Sequence, residues 1–385
     1  MKDSLIDKVK KSVLLYWCYF WTMTSFINLI KLFVRPDNKT ILFVAYGGNR
    51  YCDSPACLYE AMREDGRYSD YKLVWAFRNP DKFPMIENRI KIDTIEYFIT
   101  ALKARCWITN VSITRALQFK GKKTFYFSTT HTALPKSGGD DATKEKTFTS
   151  LGKDLFDCSV AQSEEEKRIQ VRKFGLKPSQ IVVCGYPKND RIAHHTKEDV
   201  NRIRKQLSIP CDKKVILYAP TWREKWLSED KIDLKVDFAK WQEKLGNEYV
   251  ILFRAHHMLQ SIYEGISSDF IIDVSGYPDN SELLIASDIL VSDYSGIFFE
   301  FGVQDKPMFC YAYDIEEYTK YRGLYVKLWD ELPGGILNED ELIDLIRNGD
   351  KDLIMKKVNA FRSKYITEFG KATAQSLDII HTNIS

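Results

Sequence analysis

The chain has 385 residues, of which 44% are hydrophobic and 28% are charged, and this length and composition predict two ordinary hydrophobic cores rather than three. Its 56 basic and 53 acidic residues give a net charge of +3, which disfavours nucleic-acid binding because proteins of that class usually carry a strong positive field. The eight cysteines form no C-x-x-C pair and are typical of small core residues in a reducing cytoplasm.

The N-terminal segment contains an apolar, aromatic-rich stretch with basic residues on both sides, at residues 13–30. Its length approaches the ~20 residues of a bilayer-spanning helix, but polar residues such as Thr22 and Asn28 dilute it. For residues 1–35 we therefore predict a helix that lies in the headgroup region of an anionic membrane surface. A helix packed on the protein itself is the alternative.

From Pro36 onward, short apolar runs alternate with amphipathic stretches, a pattern typical of parallel strands with covering helices. The polar stretch at residues 194–214 interrupts the alternation and is the predicted domain boundary. We predict one α/β domain over residues 36–200 and a second, with terminal helices, over residues 201–385. The predicted strands are residues 41–46, 72–77, 106–110, 124–129, 158–163 and 181–186 in the first domain, and 215–220, 249–256, 270–275, 289–296 and 307–313 in the second.

Parallel sheets bind ligands at the carboxyl ends of their strands, so the residues that follow each apolar run are candidate site residues. In the second half, Ser295 and the backbone N–H groups after it are predicted at the N-terminus of a helix-like stretch over residues 297–304, where an anion would bind. Arg254 and His256 would add the charge that holds a pyrophosphate. A plain helix cap for Ser295 and a surface ion pair for Arg254 are the alternatives. The candidates at these strand ends are Thr221, Arg223, Arg254, His256, Asp293, Ser295 and Gly296.

In the first half, His131 follows a predicted strand and precedes Lys136 and a glycine-bearing loop with Asp140 and Asp141. A histidine at a strand end is suited to take a proton from an attacking hydroxyl. We predict that His131 faces the anion site across a cleft between the domains. No D-x-D pair follows a strand, and the two adjacent aspartates alone do not indicate Mg²⁺, so we predict neither a metal nor a cofactor.

Seven short motifs follow one another along the chain: W-I-T-N at 107–110, the His131 loop, G-Y-P-K-N-D at 185–190, Y-A-P-T-W-R at 218–223, R-A-H at 254–256, S-D-Y-S-G at 292–296, and Tyr318 with R-G-L-Y at 322–325 and P-G at 333–334. In this order they resemble the CDP-glycerol:glycerophosphate transferase family of wall teichoic acid and capsule synthesis. The resemblance implies an α/β, GT-B-like fold in which the parallel sheets of two Rossmann-like domains face a central cleft.

The resemblance also implies a role for each matching residue. His131 is implied as the catalytic base. His256 is implied as the second catalytic residue and, with Arg254, to contact the donor phosphates. The other implied donor-binding residues are Thr221, Arg223, Asp293, Ser295 and Gly296, and those implied for the acceptor or for loop support are Asn110, Lys136, Asp141, Asn189, Asp190 and Arg322.

Four features depart from the family pattern. The first loop reads T-H-T-A-L-P-K around His131, His257 stands where proline is usual, Gly296 replaces a second serine, and Lys188 replaces an arginine. The histidine, lysine and serine are retained, so catalysis is still expected, while the altered surroundings of His131 leave the acceptor open.

The implied reaction transfers glycerol phosphate from CDP-glycerol to a hydroxyl of a lipid-linked saccharide or polyol-phosphate acceptor and releases CMP. The resemblance places the enzyme peripherally on the cytoplasmic face of the bacterial membrane, and the short chain resembles the priming enzymes more than the long polymerases. Transfer from CDP-ribitol, a GT-B glycosyltransferase and a non-catalytic envelope scaffold are the alternatives.

Overall fold

The structure is a computed structural model that describes residues 12–130, 134–137, 156–221, 236–255, 267–321 and 323–385. Its organising elements are two parallel β-sheets, one in each half of the chain, and helices cover both. Because both faces of each sheet are covered, the central strands are apolar throughout rather than alternating. Strand β9, for example, is buried at every residue of Tyr249–Phe253. The two predicted parallel-sheet α/β domains are confirmed.

The first sheet has seven strands in the order β3-β2-β1-β4-β5-β6-β7, and every neighbouring pair is parallel. The order reverses between β1 and β4, which makes the ends of these strands a switch point where ligands commonly bind. The strands are β1 Asp37–Val44, β2 Lys72–Phe77, β3 Arg89–Lys91, β4 Ala104–Thr109, β5 Phe125–Ser128, β6 Cys158–Ala161 and β7 Ile181–Val183.

The second sheet has six strands in the order β10-β9-β8-β11-β12-β13, again all parallel. Here the order reverses between β8 and β11, so this sheet has a switch point of its own. The strands are β8 Lys214–Ala219, β9 Tyr249–Phe253, β10 Ile271–Asp273, β11 Ile289–Ser292, β12 Met308–Tyr311 and β13 Gly334–Gly335.

The helices of the described residues fill the intervals between strands and extend the chain at both ends. Short 3₁₀ turns at Tyr46–Gly48, Gly66–Tyr68, Pro80–Lys82 and Pro178–Gln180 complete the elements. The α-helices are Val13–Lys31, Asp53–Glu64, Ile95–Lys103, Glu164–Phe174, Pro187–Ala193, Lys197–Gln206, Phe238–Leu245, Asn280–Ala286, Ile297–Phe301, Ile315–Tyr321, Leu328–Glu331, Glu339–Asn348, Lys351–Tyr365 and Ala372–Ile384.

The N-terminal helix Val13–Lys31 is packed on the first domain along one face only. Its buried side chains Tyr16, Phe20 and Ile27 join the core on one side of the first sheet. The opposite face is apolar and exposed, with Trp17 and Trp21 at 41% and 53% exposure. Among the described residues, no helix is both long enough and apolar enough to cross a bilayer.

The last helix, Ala372–Ile384, returns to the first sheet, although it belongs to the range predicted for the second domain. Leu377 and Ile380 pack in the core on the second side of that sheet. The Tyr68 hydroxyl also donates to the backbone oxygen of Leu377 at 2.6 Å. The chain therefore crosses between the domains twice, once near residue 194 and once after Tyr365.

Candidate functional site

A cavity of about 910 Å³ lies between the domains, at the carboxyl edges of both sheets. Its walls come from the loops after β1, β4, β8 and β11, which are the strands at the two switch points. We call it the interdomain cavity. Its lining residues are Tyr46, Gly47, Asn49, Arg50, Val111, Lys136, Ala219, Pro220, Thr221, Arg254, Ala255, Ser275, Asn280, Ser295, Gly296, Ile297 and Glu300.

The turn after β1 brings residues of the first domain to this cavity. Tyr46, Gly47 and Gly48 all have positive φ, at 47°, 61° and 84°. A side chain at Gly48 would meet Arg78 N at 3.1 Å and Ala76 O at 3.3 Å, so only glycine fits this left-handed, crowded position. The tight turn places Arg50 on the cavity wall.

Two buried side chains tie neighbouring strand ends together, one in each domain. The Oδ1 atom of Asn110, just after β4, accepts a hydrogen bond from Tyr46 N at 2.9 Å. The Oδ1 atom of Asp293, just after β11, accepts from Thr221 N at 2.9 Å and from Tyr294 N at 2.7 Å. Each side chain thus fixes the loop after the neighbouring strand across the switch point, which is β1 in the first sheet and β8 in the second. Asp293 does not line the cavity, so its position supports a tethering role for this residue.

Two arginines give the cavity its positive charge. Arg254 follows β9, and its Nη1 donates to the backbone oxygens of Val274 and Tyr277 at 3.2 and 3.1 Å. Burial lowers the pKa of the Arg254 guanidinium, and the nearby Arg50 cation lowers it further. Two cations that repel each other in a partly dry cavity favour an anionic ligand.

The loop after β11 contributes Ser295 and Gly296 to the cavity. The Ser295 hydroxyl accepts a hydrogen bond from Ile297 N at 3.2 Å, and Gly296 is the N-cap of the helix Ile297–Phe301. The helix-like stretch predicted at residues 297–304 ends early, at Phe301, because Gly302 caps it. A single short turn of helix has a weak dipole, so the anion site depends mainly on the arginines.

A buried ionic cluster joins the domains at the edge of the cavity. Lys188 Nζ lies 3.3 Å from Asp53 Oδ2 and 2.9 Å from Glu300 Oε1. The Tyr46 hydroxyl donates to Asp53 at 2.8 Å, and Asn280 Nδ2 donates to Glu300 at 3.0 Å. Burial alone would lower the pKa of Lys188, but the two carboxylates outweigh it and raise the pKa well above the ordinary value.

The structure brings together some of the residues predicted from sequence and leaves others elsewhere. Thr221, Arg254, Ser295, Gly296 and Lys136 line the interdomain cavity. The residues predicted for the site that lie outside the described part of the chain are His131, Asp141, Arg223, His256 and Arg322.

Two residues predicted for the acceptor or for loop support have structural contacts away from the cavity. The Asp190 carboxylate accepts hydrogen bonds from Ala372 N and Thr373 N, at 3.1 and 2.7 Å, and so caps the last helix. Asn189 is fully buried and donates to Gln162 at 3.1 Å. Neither residue lines the interdomain cavity.

Several cavity residues were not predicted from sequence, namely Tyr46, Asn49, Arg50, Asn280 and Glu300. The signal for the first three was available, because Tyr46 ends the strand predicted at residues 41–46 and Asn49 and Arg50 follow it closely. Asn280 and Glu300 lie on helices, where the strand-end rule does not apply. Within the described ranges, no group of three or more His, Cys, Asp or Glu residues is placed to hold a metal ion.

The sequence family described as CDP-glycerol:poly(glycerophosphate) glycerophosphotransferase matches residues 26–380. This match covers most of the chain. The chain belongs to this family.

Relatives and solved structures agree with this membership. The chain is 34% identical over 383 residues to the teichoic acid poly(glycerol phosphate) polymerase of Staphylococcus epidermidis, which covers 93% of the chain and 53% of that protein. It is 33% identical to the teichoic acid glycerol-phosphate transferase of Staphylococcus aureus, over 85% of the chain and 87% of that protein. The chain thus spans about half the length of the first relative.

The solved structures that it resembles include the wall teichoic acid polymerase TagF, with a TM-score of 0.83 and 32% identity over 92% of each chain. A TagF variant soaked with CDPG superposes with a TM-score of 0.81 and 31% identity, covering 94% of this chain and 93% of that one.

Proposed function

We propose that this protein transfers glycerol phosphate from CDP-glycerol to a hydroxyl of a teichoic-acid-type acceptor and releases CMP. The observation that carries the proposal is the interdomain cavity, where Arg50 and Arg254 lie beside the loops at the switch points of two parallel sheets. Such switch points are the usual sites for nucleotides in these folds. The paired cations suit a pyrophosphate, and the CDPG-soaked TagF variant supports the same donor.

In the proposed reaction, an acceptor oxygen attacks the glycerol-bearing phosphorus of CDP-glycerol. A new phosphorus–oxygen bond forms, the bond from that phosphorus to CMP breaks, and His131 takes the hydroxyl proton. Negative charge grows on the departing CMP phosphate, where Arg254 and Arg50 would stabilise it. Ser295 and Thr221 would orient the donor from neighbouring loops, since they follow the paired strands β11 and β8 and line the same cavity.

The two domains are proposed to divide substrate binding between them. We infer a GT-B-like arrangement, in which the first domain presents the acceptor and the second holds the nucleotide. The buried cluster around Lys188 and the return of the last helix to the first sheet support a fixed relation between the domains.

We also propose that the protein attaches peripherally to the anionic surface of the bacterial membrane, on its cytoplasmic side. The helix Val13–Lys31 exposes an apolar face, and Phe33 just beyond it is 81% exposed. Cations gather at the end of the same helix. Burial lowers the pKa of Lys31, and the neighbouring Lys120 and Lys122 cations lower it further. An apolar face beside clustered cations is complementary to anionic lipid.

Product analysis tests the proposed reaction directly. The purified protein is incubated with CDP-glycerol, CDP-ribitol or a UDP-sugar and a lipid-linked acceptor, and CMP or UDP release is measured together with the product mass. We expect CMP release and a mass increase of one or more glycerol phosphates with CDP-glycerol. Preferential turnover of CDP-ribitol or a UDP-sugar would assign a different donor, and no turnover with every donor would favour a scaffold.

The His131→Asn variant tests the proposed base in the same assay. Loss of a general base costs on the order of 10²- to 10⁴-fold in rate, while donor binding should be retained. His195→Asn is the matched control, because His195 lies near the domain boundary and its ring contacts Ile192 O at 2.7 Å. A His131 variant with turnover close to wild type would remove this residue from the mechanism.

A further inference from the structure

Thr130, the residue that directly precedes His131, has an unusual backbone conformation. Its φ is 40°, in the left-handed region that β-branched residues avoid. Such a conformation persists only where surrounding contacts hold it, and conformations of this kind are concentrated at functional sites. Thr130 also lines a smaller cavity, of about 370 Å³, which shares Val111, Lys136 and Gly296 with the interdomain cavity. The strained residue therefore lies at the edge of the proposed active site.

A buried chain of hydrogen bonds holds the Thr130 side chain. Its hydroxyl oxygen lies 3.2 Å from the hydroxyl oxygen of Tyr186, and the Tyr186 hydroxyl donates to Glu166 Oε1 at 2.5 Å. Because Tyr186 gives its single proton to Glu166, Thr130 is the donor in the first contact. The three residues are buried, at 5%, 3% and 1% exposure in the order Thr130, Tyr186 and Glu166. We call these three side chains the Thr130 anchor.

The Tyr186 hydroxyl stays protonated in this setting. Burial raises its pKa well above the ordinary value, and the Glu166 carboxylate raises the pKa further. The other carboxylate oxygen of Glu166, Oε2, accepts a hydrogen bond from Gln162 N at 2.9 Å. Hydrogen bonds to a charged acceptor are the stronger ones. Glu166 therefore holds Tyr186 in place, and Tyr186 in turn holds Thr130.

The same chain of contacts continues into the second domain through Gln162. The Nε2 atom of Gln162 donates to the backbone oxygen of Phe299 at 3.1 Å. Phe299 lies on the helix Ile297–Phe301, whose N-cap is Gly296. Buried hydrogen bonds thus connect the backbone beside the proposed base with the loop proposed to hold the donor. This continuity favours a role in placing the two reacting groups relative to each other.

The segment that contains His131 is held at its far end as well. Leu134 is 2% exposed, and the residues that follow it form two backbone hydrogen bonds, of 2.9 and 2.8 Å, with the segment 323–325. Only three residues separate Leu134 from Thr130. Since a peptide bond joins Thr130 to His131, loss of the Thr130 anchor would let the His131 backbone shift while Leu134 stays in place.

We propose that Tyr186 is a positioning residue for the catalytic base. Held by Glu166, it keeps Thr130 in the left-handed conformation and thereby directs the His131 imidazole at the acceptor hydroxyl. Neither Tyr186 nor Glu166 is among the described residues that line the two cavities, so both act through Thr130. The inference rests on the proposed function and deepens it, because it adds the residues that orient the proposed base.

Tyr186→Phe tests the proposal because it removes the hydroxyl and keeps the buried ring. We expect kcat for CMP release from CDP-glycerol to fall about 10- to 100-fold, since a small displacement of a reacting group has an effect of that size, with an unchanged KM for CDP-glycerol. Thr130→Val removes the other hydroxyl and should lower kcat by the same factor. The double variant should lose no more than either single variant, because the two hydroxyls act as one unit.

Tyr68→Phe is the matched control. It also removes a buried tyrosine hydroxyl that has a hydrogen-bond partner, the backbone oxygen of Leu377 at 2.6 Å, but it lies away from both cavities. We expect the wild-type kcat in this variant. A loss of kcat as large as that of Tyr186→Phe would show that any missing buried hydroxyl slows the enzyme, and would overturn the inference.

The decisive comparison repeats Tyr186→Phe in the His131→Asn background, where single-turnover measurement follows the residual CMP release. With no base left to position, Tyr186→Phe should cause no further loss. The same loss in both backgrounds, or a wild-type kcat in Tyr186→Phe and in Thr130→Val, would overturn the inference while CMP release by the wild type still supports the proposed function. Absence of CMP release by the wild type would contradict the proposed function, and the inference with it.

Discussion

At the scale of single residues, the two tethers Asn110 and Asp293 occupy corresponding places in the two domains. Each follows one of the two strands at the switch point of its sheet, β4 or β11, and binds a backbone N–H group of the loop after the other, β1 or β8. The strand-end rule identified Asp293, and the family resemblance implied donor binding for Asp293 and an acceptor or loop-support role for Asn110. Sequence does not reveal which neighbouring N–H group a polar side chain will reach, so their tethering contacts emerged only from the structure.

The buried Lys173 gives a prediction about how the free energy of unfolding depends on pH. Its pKa is lowered to about 8 by burial, against about 10.4 in an unfolded chain. Between about pH 8 and 10.4 Lys173 is mostly protonated in the unfolded chain and mostly neutral in the folded one, so the free energy of unfolding rises with pH across this window. Below about pH 8 the folded protein carries the buried charge, and the whole cost of burying it lowers the stability.

Lys173→Met should therefore be more stable than wild type at pH 7, and the advantage should shrink as the pH approaches 10. Urea denaturation at the two pH values measures this. The Glu166 carboxylate is the charged group that raises the pKa of Lys173, and the backbone oxygen of Lys136 accepts a hydrogen bond from Lys173 Nζ at 3.0 Å. Both residues are unchanged in the variant. A variant less stable than wild type at pH 7 would show that burial of the charged Lys173 does not destabilise the folded protein.

At the scale of elements, the sequence predicted the strands well because buried parallel strands are continuous apolar runs. It missed β3 and β13, which have three and two residues and the sequences R-I-K and G-G. Such short pairings depend on neighbouring strands rather than on local composition. The helix after Ser295 was predicted too long, because its apolar residues continue beyond the capping Gly302.

One face of the N-terminal helix packs on the first domain, as one of the two alternatives drawn from its sequence stated, and the other face is exposed. Membrane attachment through the exposed face stays a prediction. Replacing Trp17 and Trp21 together by serine removes aromatic area from the exposed face alone. We expect roughly tenfold weaker binding to phosphatidylglycerol vesicles, because each Trp would contribute buried apolar area.

Co-sedimentation with phosphatidylglycerol and with phosphatidylcholine vesicles measures the effect of the two Trp→Ser changes and the preference for anionic lipid. Ile336→Ser is the control, at a residue that is 62% exposed in the second domain. Vesicle binding that is equal in wild type and in the double variant would contradict a role for this face.

At the scale of the whole molecule, the site exists because two sheets present their switch points to one cavity. The sequence identified the second-domain half of that cavity, since Thr221, Arg254 and Ser295 follow apolar runs. In the first-domain half, Lys136 was predicted, whereas Arg50 and Tyr46 were not. The relative placement of the domains depends on long-range contacts such as Lys188 with Asp53 and Glu300, and sequence periodicity carries no signal for these.

Lys188→Met tests the importance of that interdomain contact. It would leave two carboxylates at the domain interface without their cation, and breaking a buried ion pair in this way usually costs about 3–5 kcal/mol. We expect a loss of that order in the free energy of unfolding, measured by denaturant titration. Lys188→Arg keeps the charge and should lose much less. A loss in Lys188→Met no larger than that in Lys188→Arg would show that the ionic cluster does not hold the domains together.

The central claim is that the interdomain cavity binds the diphosphate of a cytidine nucleotide, and calorimetric titration of CDP tests it most directly. Arg254→Gln removes one guanidinium from the cavity wall, whereas Arg347→Gln changes an exposed arginine on the helix Glu339–Asn348. Loss of a charge-assisted contact predicts a Kd for CDP that is weaker by about 10- to 100-fold in Arg254→Gln, with no change in Arg347→Gln. Equal CDP affinity in wild type and Arg254→Gln would contradict the placement of the nucleotide in this cavity.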